Sequence, residues 1–182
     1  MLRSENPRYR LYNVGVSRLR RLETTGRIFF VTCNLAKDVK PFSPMERSLF
    51  LVALGEARQR LKFRLQAYVV MPNHWHALIL PAPQQTISSI LHSIKRLSAL
   101  GINRRRRRSG PLWQSRFYDS FMRKVRDFRE ALDYIHTNPA RDGFVPDAAL
   151  WPWSSYRQIV LGGEPLLSVD HVELPLDPNQ RI

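Results

Sequence analysis

The stretch FRLQAYVVMPNHWHALIL, from Phe63 to Leu80, decides the fold because it contains two strands and the turn that joins them. Its first half, up to Met71, is rich in β-branched and aromatic side chains and predicts a strand. Pro72-Asn73 predicts a tight turn, and the residues from His74 onward predict a strand that returns beside the first. The second strand carries two histidines, which are separated by one tryptophan.

Four segments around this hairpin also show regular patterns. The residues RIFFVTC at 27–33 and RFYDSFM at 116–122 predict strands. A capping box that starts at Ser43 predicts one helix, and Thr86 precedes a second helix, which we expect to end at Gly101. The order strand, helix, strand, strand, helix, strand is that of the ferredoxin-like split βαβ fold. We therefore predict an α+β protein with an antiparallel sheet and two helices on one face.

A third helix is predicted after the last strand. Asp127 and Glu130 fit a capping box at its start, and Pro139 is expected to end it. Tyr134 and Asn138 lie one helical turn apart in the same stripe as Glu130, at the border of the apolar face. This additional C-terminal helix would bring a hydroxyl group and an amide group to the sheet.

The composition indicates a globular protein with a polyanionic partner. The chain has 182 residues, 43% of them hydrophobic, and a net charge of +14. This excess of positive charge favours nucleic acid as the partner, with an anionic membrane surface as the weaker alternative. Cys33 is the only cysteine, which excludes an internal disulfide and a zinc site built from cysteines. The N-terminal residues lack the apolar core of a signal peptide, so we expect a cytoplasmic protein with no membrane partner.

The charge is unevenly distributed and divides the chain into three parts. Residues 1–26 form a basic segment, residues 27–160 carry the predicted helices and strands, and residues 161–182 form an acidic, proline-rich tail. The arginine run at 104–108 is interpreted as a mobile loop that contacts phosphates. The arginines expected to bind nucleic acid are Arg18, Arg20, Arg21, Arg104, Arg105, Arg106, Arg107 and Arg108. The acidic residues of the tail, either solvated or folded back over the groove that binds nucleic acid, are Glu164, Asp170, Glu173 and Asp177.

The two histidines form a candidate metal site. Alternation along a strand places His74 and His76 on one side of the sheet and Trp75 on the other. Two imidazoles at this spacing can share one metal ion; alternatively, they are hydrogen-bonded near a strand end while Trp75 fills the core. Tyr134 and Asn138 can approach the same side of the sheet from the third helix. Two imidazoles, an amide oxygen and a hydroxyl nucleophile suit phosphodiester chemistry assisted by a divalent cation.

Four blocks of the sequence resemble the REP-associated tyrosine transposases, bacterial relatives of the single-tyrosine HUH transposases of small insertion sequences. The blocks read MPNHWHALI, GPLWQSRFYDSF, DYIHTNPARDGFV and WPWSSY, and they occur in the family's order between Arg27 and Tyr156. The resemblance implies that residues 27–160 are an HUH transposase-like catalytic domain with a ferredoxin-like fold. It also implies that the partner is single-stranded DNA with hairpin elements.

The resemblance gives each residue of the candidate site a role. His74 and His76 match the histidine pair that binds Mg²⁺ or Mn²⁺, and Asn138 matches the third protein ligand, for which the insertion-sequence relatives often carry Gln. Tyr134 matches the nucleophile, which attacks the scissile phosphate and forms a 5′-phosphotyrosine link with release of a 3′-OH. The C-terminal extension is similar to that of the branch that tends to act as a monomer, and we expect a monomer here.

Three other functions are compatible with parts of the pattern. A sheet of this topology can serve as an RRM-like platform for single-stranded nucleic acid, although the aromatic signature of that module is absent and Tyr134 has no role in it. A transposase that has lost its activity would keep the same residues. A metal-dependent hydrolase without a covalent step would not need Tyr134, and the additional carboxylates of two-metal sites are missing. A metal-dependent covalent adduct with single-stranded DNA would distinguish these alternatives.

Overall fold

The computed structural model describes residues 26–171. The strands are β1 (Phe29–Asn34), β2 (Arg64–Val70), β3 (His74–Leu80) and β4 (Tyr118–Phe121). The helices are α1 (Pro44–Leu61), α2 (Ile87–Arg105), α3 (Val125–Arg141) and α4 (Tyr156–Ile159), with a 3₁₀ turn at Ala148–Leu150. The predicted DNA contacts Arg18, Arg20 and Arg21 and the acidic residues Glu173 and Asp177 lie outside the described residues.

The four strands pair in the order β2-β3-β1-β4, and all three pairings are antiparallel. Helices α1 and α2 connect β1 to β2 and β3 to β4, as the split βαβ pattern requires. The predicted ferredoxin-like α+β fold is therefore confirmed. None of the described helices is both long and apolar enough to span a bilayer.

The sheet separates two hydrophobic cores. Helices α1 and α2 pack together over one face, where Phe50, Trp75 and Ile94 belong to one buried cluster. Helix α3 packs on the other face, where Phe128 and Ile135 contact the cluster that contains Leu78. Because side chains alternate along β3, a single strand supplies both cores and presents its histidines on the α3 face.

Helix α1 begins as the sequence predicts, whereas α2 ends later than predicted. The hydroxyl of Ser43 accepts a hydrogen bond from the backbone amide of Glu46, and the Glu46 carboxylate accepts one from the backbone amide of Ser43. This is the expected capping box. Gly101 does not stop α2, which continues to Arg105 because Ile102 is fully buried and keeps the last turn against the core. Glycine weakens a helix by only about 1 kcal/mol, and burial of an isoleucine outweighs this cost.

The start and the end of α3 also differ from the prediction. The helix begins at Val125, and Asp127 caps it from the first turn by accepting the backbone amides of Arg123 and Lys124 at 3.1 Å each. The capping box predicted for Asp127 with Glu130 is therefore wrong. Glu130 instead forms an exposed ion pair with Arg126, one turn earlier on the same helix.

Pro139 lies inside α3 and does not end it. A proline ring removes one backbone donor, the one that would have bonded to the carbonyl four residues earlier. The turn around it remains closed because the Asp142 amide donates to Asn138 O at 2.9 Å and the Phe144 amide donates to Pro139 O at 2.9 Å. The helix therefore continues to Arg141, which extends the surface that it presents beside Tyr134.

The segment after α3 covers the outer edge of β2. The Val70 amide donates to Trp153 O at 2.8 Å and the Ser155 amide donates to Tyr68 O at 3.0 Å, so the backbone of this segment pairs with the strand. The guanidinium of Arg47 lies 4.8 Å from the ring centroid of Trp151 and 3.9 Å from that of Trp153. These contacts attach the C-terminal part of the chain to α1 and to the sheet.

The first residues of the predicted acidic tail contact the domain. Val169 is buried in the α1/α2 core, and the Asp170 carboxylate binds the Arg58 guanidinium at 2.6 Å and the Leu65 amide at 2.8 Å. Asp170 is therefore held near the C-terminal end of α1. The effect of the acidic tail on DNA binding stays a prediction. The domain boundary expected at residue 160 stays a prediction.

Candidate active site

His74 and His76 lie side by side on the α3 face of the sheet. Their ring centroids are 4.7 Å apart, while Trp75 points into the opposite core with its ring centroid 5.0 Å from that of Phe50. Strand alternation thus determines both features, as the sequence predicts. The pair lies on one of the two central strands of the sheet.

His76 is the buried member of the pair, with 3% of its surface exposed. Its Nδ1 atom is 2.7 Å from Thr32 Oγ1, and its ring stacks on Phe30 with a centroid distance of 5.4 Å. Its Nε2 atom is buried and has no hydrogen-bond partner among residues 26–171. Burial lowers the pKa of His76 well below its usual value, and the nearby His74 and Arg141 lower it further. The ring is therefore neutral at pH 7.

His74 is half-buried at the start of β3. Its Nδ1 atom is 2.6 Å from Asn73 Oδ1, in the turn that precedes the strand. Burial lowers the pKa of His74, and the carboxylate of Asp142 opposes this effect without reversing it. Both imidazoles are therefore in the neutral form, which is the form that coordinates a metal ion.

Helix α3 brings Tyr134 to the histidine face, as the sequence predicts, and carries Asn138 one turn later. The Tyr134 ring centroid lies 5.2 Å from that of His76 and 5.8 Å from that of Phe30. Asn138, one turn later, has only 1% of its surface exposed, and its Oδ1 atom has no hydrogen-bond partner in the described part of the chain. The Arg141 guanidinium lies 4.3 Å from the centroid of the Tyr134 ring.

The donor atoms of this site fit a divalent cation. A buried polar atom without a partner costs about 1–3 kcal/mol, and both His76 Nε2 and Asn138 Oδ1 are such atoms. Within residues 26–171, no group of three or more His, Cys, Asp or Glu side chains could hold a metal ion. The candidate protein ligands are therefore His74, His76 and the neutral amide of Asn138. Such a set leaves positions for water or phosphate oxygens, which Mg²⁺ and Mn²⁺ accept readily.

The arginine run is not a uniform mobile loop. Arg104 and Arg105 belong to the last turn of α2, and Arg104, Arg105 and Arg107 are exposed. Arg106 instead binds the Glu46 carboxylate at 2.6 Å and also donates to the carbonyls of residues 40 and 41. The Arg106 guanidinium lowers the pKa of Glu46 to about 2.

Arg108, like Arg106, is used inside the domain. Its guanidinium donates to Asn103 Oδ1 at 3.0 Å and to the carbonyl of Pro111. The five arginines therefore divide into two that fix the loop and three that face solvent. The spacing of the run in the sequence gives no sign that Arg106 is held in this way, because its partner Glu46 lies 60 residues away.

Sequence reasoning missed Thr32, Asn73 and Arg141 as neighbours of the site. Thr32 lies on β1 directly opposite His76, so only the strand register reveals it. Asn73 had a visible signal, because it precedes His74 in the turn. Arg141 lies two turns after Tyr134 on α3, beyond the proline that was expected to end the helix.

The remaining histidines have structural or solvent-exposed positions. His136 is buried, its Nε2 atom is 3.0 Å from Ser155 Oγ, and burial lowers its pKa to about 4. It therefore links α3 to the segment that covers β2. His92 and His171 are exposed, and none of the three contacts the candidate active site.

The fold and the site together define a transposase-type protein: a ferredoxin-like sheet with a histidine pair on a central strand and a tyrosine on a separate helix. The family model for IS200-like transposases matches residues 42–138, and the chain belongs to this family. The matched region contains His74, His76, Tyr134 and Asn138.

Two curated relatives and one solved structure support this assignment. The chain is 28% identical to the REP-associated tyrosine transposase of Escherichia coli over 151 residues, which cover 81% of this chain and 87% of the relative. It is 27% identical over 155 residues to a putative REP-associated tyrosine transposase of Haemophilus influenzae, with coverage of 80% and 88%. A solved structure of a REP-associated tyrosine transposase bound to a REP hairpin matches with a TM-score of 0.70 and 27% identity, over 91% of this chain and 98% of that one. The resemblance inferred from the sequence blocks is confirmed.

Proposed function

We propose that this chain is a divalent-metal-dependent endonuclease and strand transferase that acts on single-stranded DNA next to a hairpin. The observation that carries the proposal is the approach of α3 to β3. It brings the Tyr134 ring within 5.2 Å of the His76 ring, whose buried Nε2 atom has no hydrogen-bond partner among the described residues. The solved relative bound to a REP hairpin supports a hairpin as the DNA element.

Each side chain of the site has a distinct role in this proposal. His74, His76 and Asn138 would hold Mg²⁺ or Mn²⁺, which when bound polarises the scissile phosphate and stabilises the charge that develops on it. Tyr134 supplies the nucleophilic hydroxyl. Arg141, over the ring of Tyr134, fixes the orientation of the ring and places a positive charge beside the phosphate that the hydroxyl approaches.

The covalent step exchanges one phosphodiester for another. The Tyr134 Oη atom attacks the phosphorus, the bond from phosphorus to the 3′ oxygen breaks, and the phenolic proton is lost while the leaving oxygen gains one. The products are a 5′-phosphotyrosine and a free 3′-OH. A free tyrosine has a pKa of about 10 and is a weak nucleophile near neutral pH, so it depends on its surroundings for activation. A second 3′-OH can reverse the step and join strands without an external energy source.

The exposed arginines at the end of α2 would contact the DNA backbone. Arg104, Arg105 and Arg107 are available for phosphates, whereas Arg106 and Arg108 are already bound to side chains and carbonyls of the domain. We therefore assign three of the five predicted contacts of this run. The contacts predicted for Arg18, Arg20 and Arg21, and the monomeric state, stay predictions.

The test is formation of a covalent adduct. A labelled hairpin oligonucleotide with a single-stranded flank is incubated with the protein and Mg²⁺ or Mn²⁺ and separated under denaturing conditions. Wild type is expected to give a protein-linked band, and Tyr134→Phe is expected to give none while it still binds the hairpin. Tyr156→Phe is the matched control, because Tyr156 is also half-buried but contacts His136 instead of the site.

A second variant tests the choice of nucleophile. Tyr118 lies on the same face of the sheet, with its ring 6.3 Å from that of Phe30. If Tyr134→Phe keeps the adduct and Tyr118→Phe loses it, the nucleophile is misassigned. If wild type binds hairpins but forms no adduct on any of them, the chain is a non-catalytic nucleic-acid-binding protein.

A further inference from the structure

The two histidines have the same kind of partner on the same ring atom. His76 Nδ1 lies 2.7 Å from the hydroxyl of Thr32, and His74 Nδ1 lies 2.6 Å from the amide oxygen of Asn73. Both partners are neutral oxygens, and both are on the side of the ring away from Nε2. A repeated contact of this kind constrains which nitrogen of each ring carries the hydrogen.

The chemistry of each partner limits the tautomer. A side-chain amide oxygen only accepts hydrogen bonds, so the contact with Asn73 requires a hydrogen on Nδ1 of His74. A threonine hydroxyl can accept or donate a hydrogen bond, so the contact with Thr32 alone does not determine the tautomer of His76. The surroundings of the other ring nitrogen, Nε2, determine it. With the hydrogen on Nε2, that buried atom would be an N–H donor without a partner, and it could not bind a cation. With the hydrogen on Nδ1, Nε2 presents a lone pair instead.

We propose that Thr32 and Asn73 are positioning residues that hold both imidazoles in the Nδ1–H tautomer, so that both Nε2 atoms present lone pairs to one divalent cation. The role of the cation rests on the proposed function. The tautomer itself is a property of the metal-free protein and can be measured without any activity.

Thr32 has the stronger geometric hold of the two. It is the direct cross-strand partner of His76 in the β1–β3 register, so the backbones of two central strands fix the distance between the hydroxyl and the ring. Phe30, on the same side of β1, stacks on the His76 ring with an interplanar angle of 19° and fixes its plane. These contacts hold both the plane of the His76 ring and the position of its Nδ1 atom.

Asn73 has a weaker hold because it lies in an exposed turn. Water competes there for both the amide and the imidazole, and a hydrogen bond in water contributes less than the same bond in a buried site. Partners of metal-binding histidines typically change metal affinity by about 10–100-fold when removed. We expect Thr32 to be within this range and Asn73 near its lower limit.

The first experiment measures the tautomer in the metal-free protein. Nitrogen-15 spectra of the histidine rings, recorded at pH 8 with chelator, report which ring nitrogen carries the hydrogen. Wild type is expected to show Nδ1–H at both His74 and His76. Thr32→Val, which removes only the hydroxyl, is expected to shift His76 toward Nε2–H or a mixture, and Thr32→Ser is expected to restore Nδ1–H.

The matched control is Thr137→Val on α3. It makes the same chemical change at a hydroxyl that donates to the Asp133 carbonyl and does not touch either histidine. The control is expected to leave both rings unchanged. An Nε2–H tautomer at His76 in wild type, or the same His76 tautomer in wild type and a folded Thr32→Val, would overturn the inference.

The second experiment measures Mn²⁺ affinity by titration calorimetry in the absence of DNA. Thr32→Val is expected to weaken Mn²⁺ binding about 10–100-fold, with recovery to within a few-fold in Thr32→Ser. Equal affinity in wild type and Thr32→Val would contradict the positioning role. If wild type binds no Mn²⁺ but shows the expected tautomers and their dependence on Thr32, the metal part of the proposed function fails and the positioning inference stands.

Discussion

The two faces of the central strand β3 differ in the kind of side chain that they bury. On the α1/α2 face, Trp75 packs against Phe50 and contributes a large apolar surface to the core, while its Nε1 atom has no hydrogen-bond partner in residues 26–171. On the α3 face, His76 and Asn138 are small polar side chains, and each buries an atom that no group in residues 26–171 satisfies. The first arrangement lowers the free energy of the fold, and the second raises it unless a ligand binds. Trp75 thus contributes to the stability of the fold, whereas its neighbour His76 belongs to the candidate active site.

His76→Ala should produce the largest loss of activity while it leaves the fold intact. It removes a proposed metal ligand, so adduct formation should fall by more than about a hundredfold, while the free energy of unfolding should fall by less than on truncation of the larger Trp75. The measurements are the adduct assay and urea unfolding. His92→Ala, an exposed histidine on α2, is the control, and an adduct yield near wild type in His76→Ala would remove His76 from the site.

Trp75→Ala tests the opposite face of the same strand. Truncation of a fully buried tryptophan should lower the free energy of unfolding by about 3–5 kcal/mol, because it removes apolar contacts and leaves a cavity. Urea unfolding measures the change, and Trp75→Phe should recover part of it. A loss below about 1 kcal/mol would show that this face does not carry the stability that its packing indicates.

Glu46→Gln tests the ion pair that fixes the arginine run. The folded-state pKa of Glu46 is depressed to about 2 by Arg106, so its stabilising effect is present above the usual carboxyl value of 4.5 and is lost as pH falls toward 2. Loss of the charge should reduce the free energy of unfolding by about 2 kcal/mol at pH 7, and wild type and variant should converge near pH 2. Glu56→Gln, at an exposed position of α1, is the control. A difference that stays constant from pH 7 to pH 2 would contradict this linkage.

Asn138→Ala should have a smaller effect than His76→Ala. Water can replace one oxygen ligand of Mg²⁺ or Mn²⁺, so we expect about a tenfold loss of adduct that excess Mn²⁺ partly reverses. Asn138→Asp keeps an oxygen at the same place and should retain more activity than the alanine variant. Complete loss in both variants, with the fold intact, would indicate a role for the amide beyond that of a replaceable ligand.

The smallest effect is expected from substitution of a single exposed arginine. It compares Arg107, which faces solvent, with Arg106, which is bound inside the domain. Arg107→Gln should reduce the slope of log K against log salt by about 0.7 for single-stranded DNA, because one phosphate contact is lost. Arg106→Gln should leave this slope unchanged and instead lower stability, since its guanidinium binds Glu46. Equal slopes in wild type and Arg107→Gln would remove Arg107 from the interface.

Local patterns were sufficient for most of the fold and for the four residues of the candidate site. Period-two alternation placed His74 and His76 opposite Trp75, the capping box at Ser43 marked the start of α1, and helical spacing joined Tyr134 to Asn138. These features depend on interactions between residues that are close in the chain, which the order of side chains encodes directly. The roles of these residues come from the family resemblance and remain proposals.

Tertiary structure decided the features that depend on distant partners. Burial of Ile102 extended α2 past Gly101, the ion pair with Glu46 withdrew Arg106 from solvent, and the register of β1 against β3 placed Thr32 beside His76. Glu46 and Arg106 are 60 positions apart in the sequence, and Thr32 and His76 are 44 positions apart. No local pattern specifies such a contact, because the contact forms and stabilises the protein only after the sheet and helices have packed.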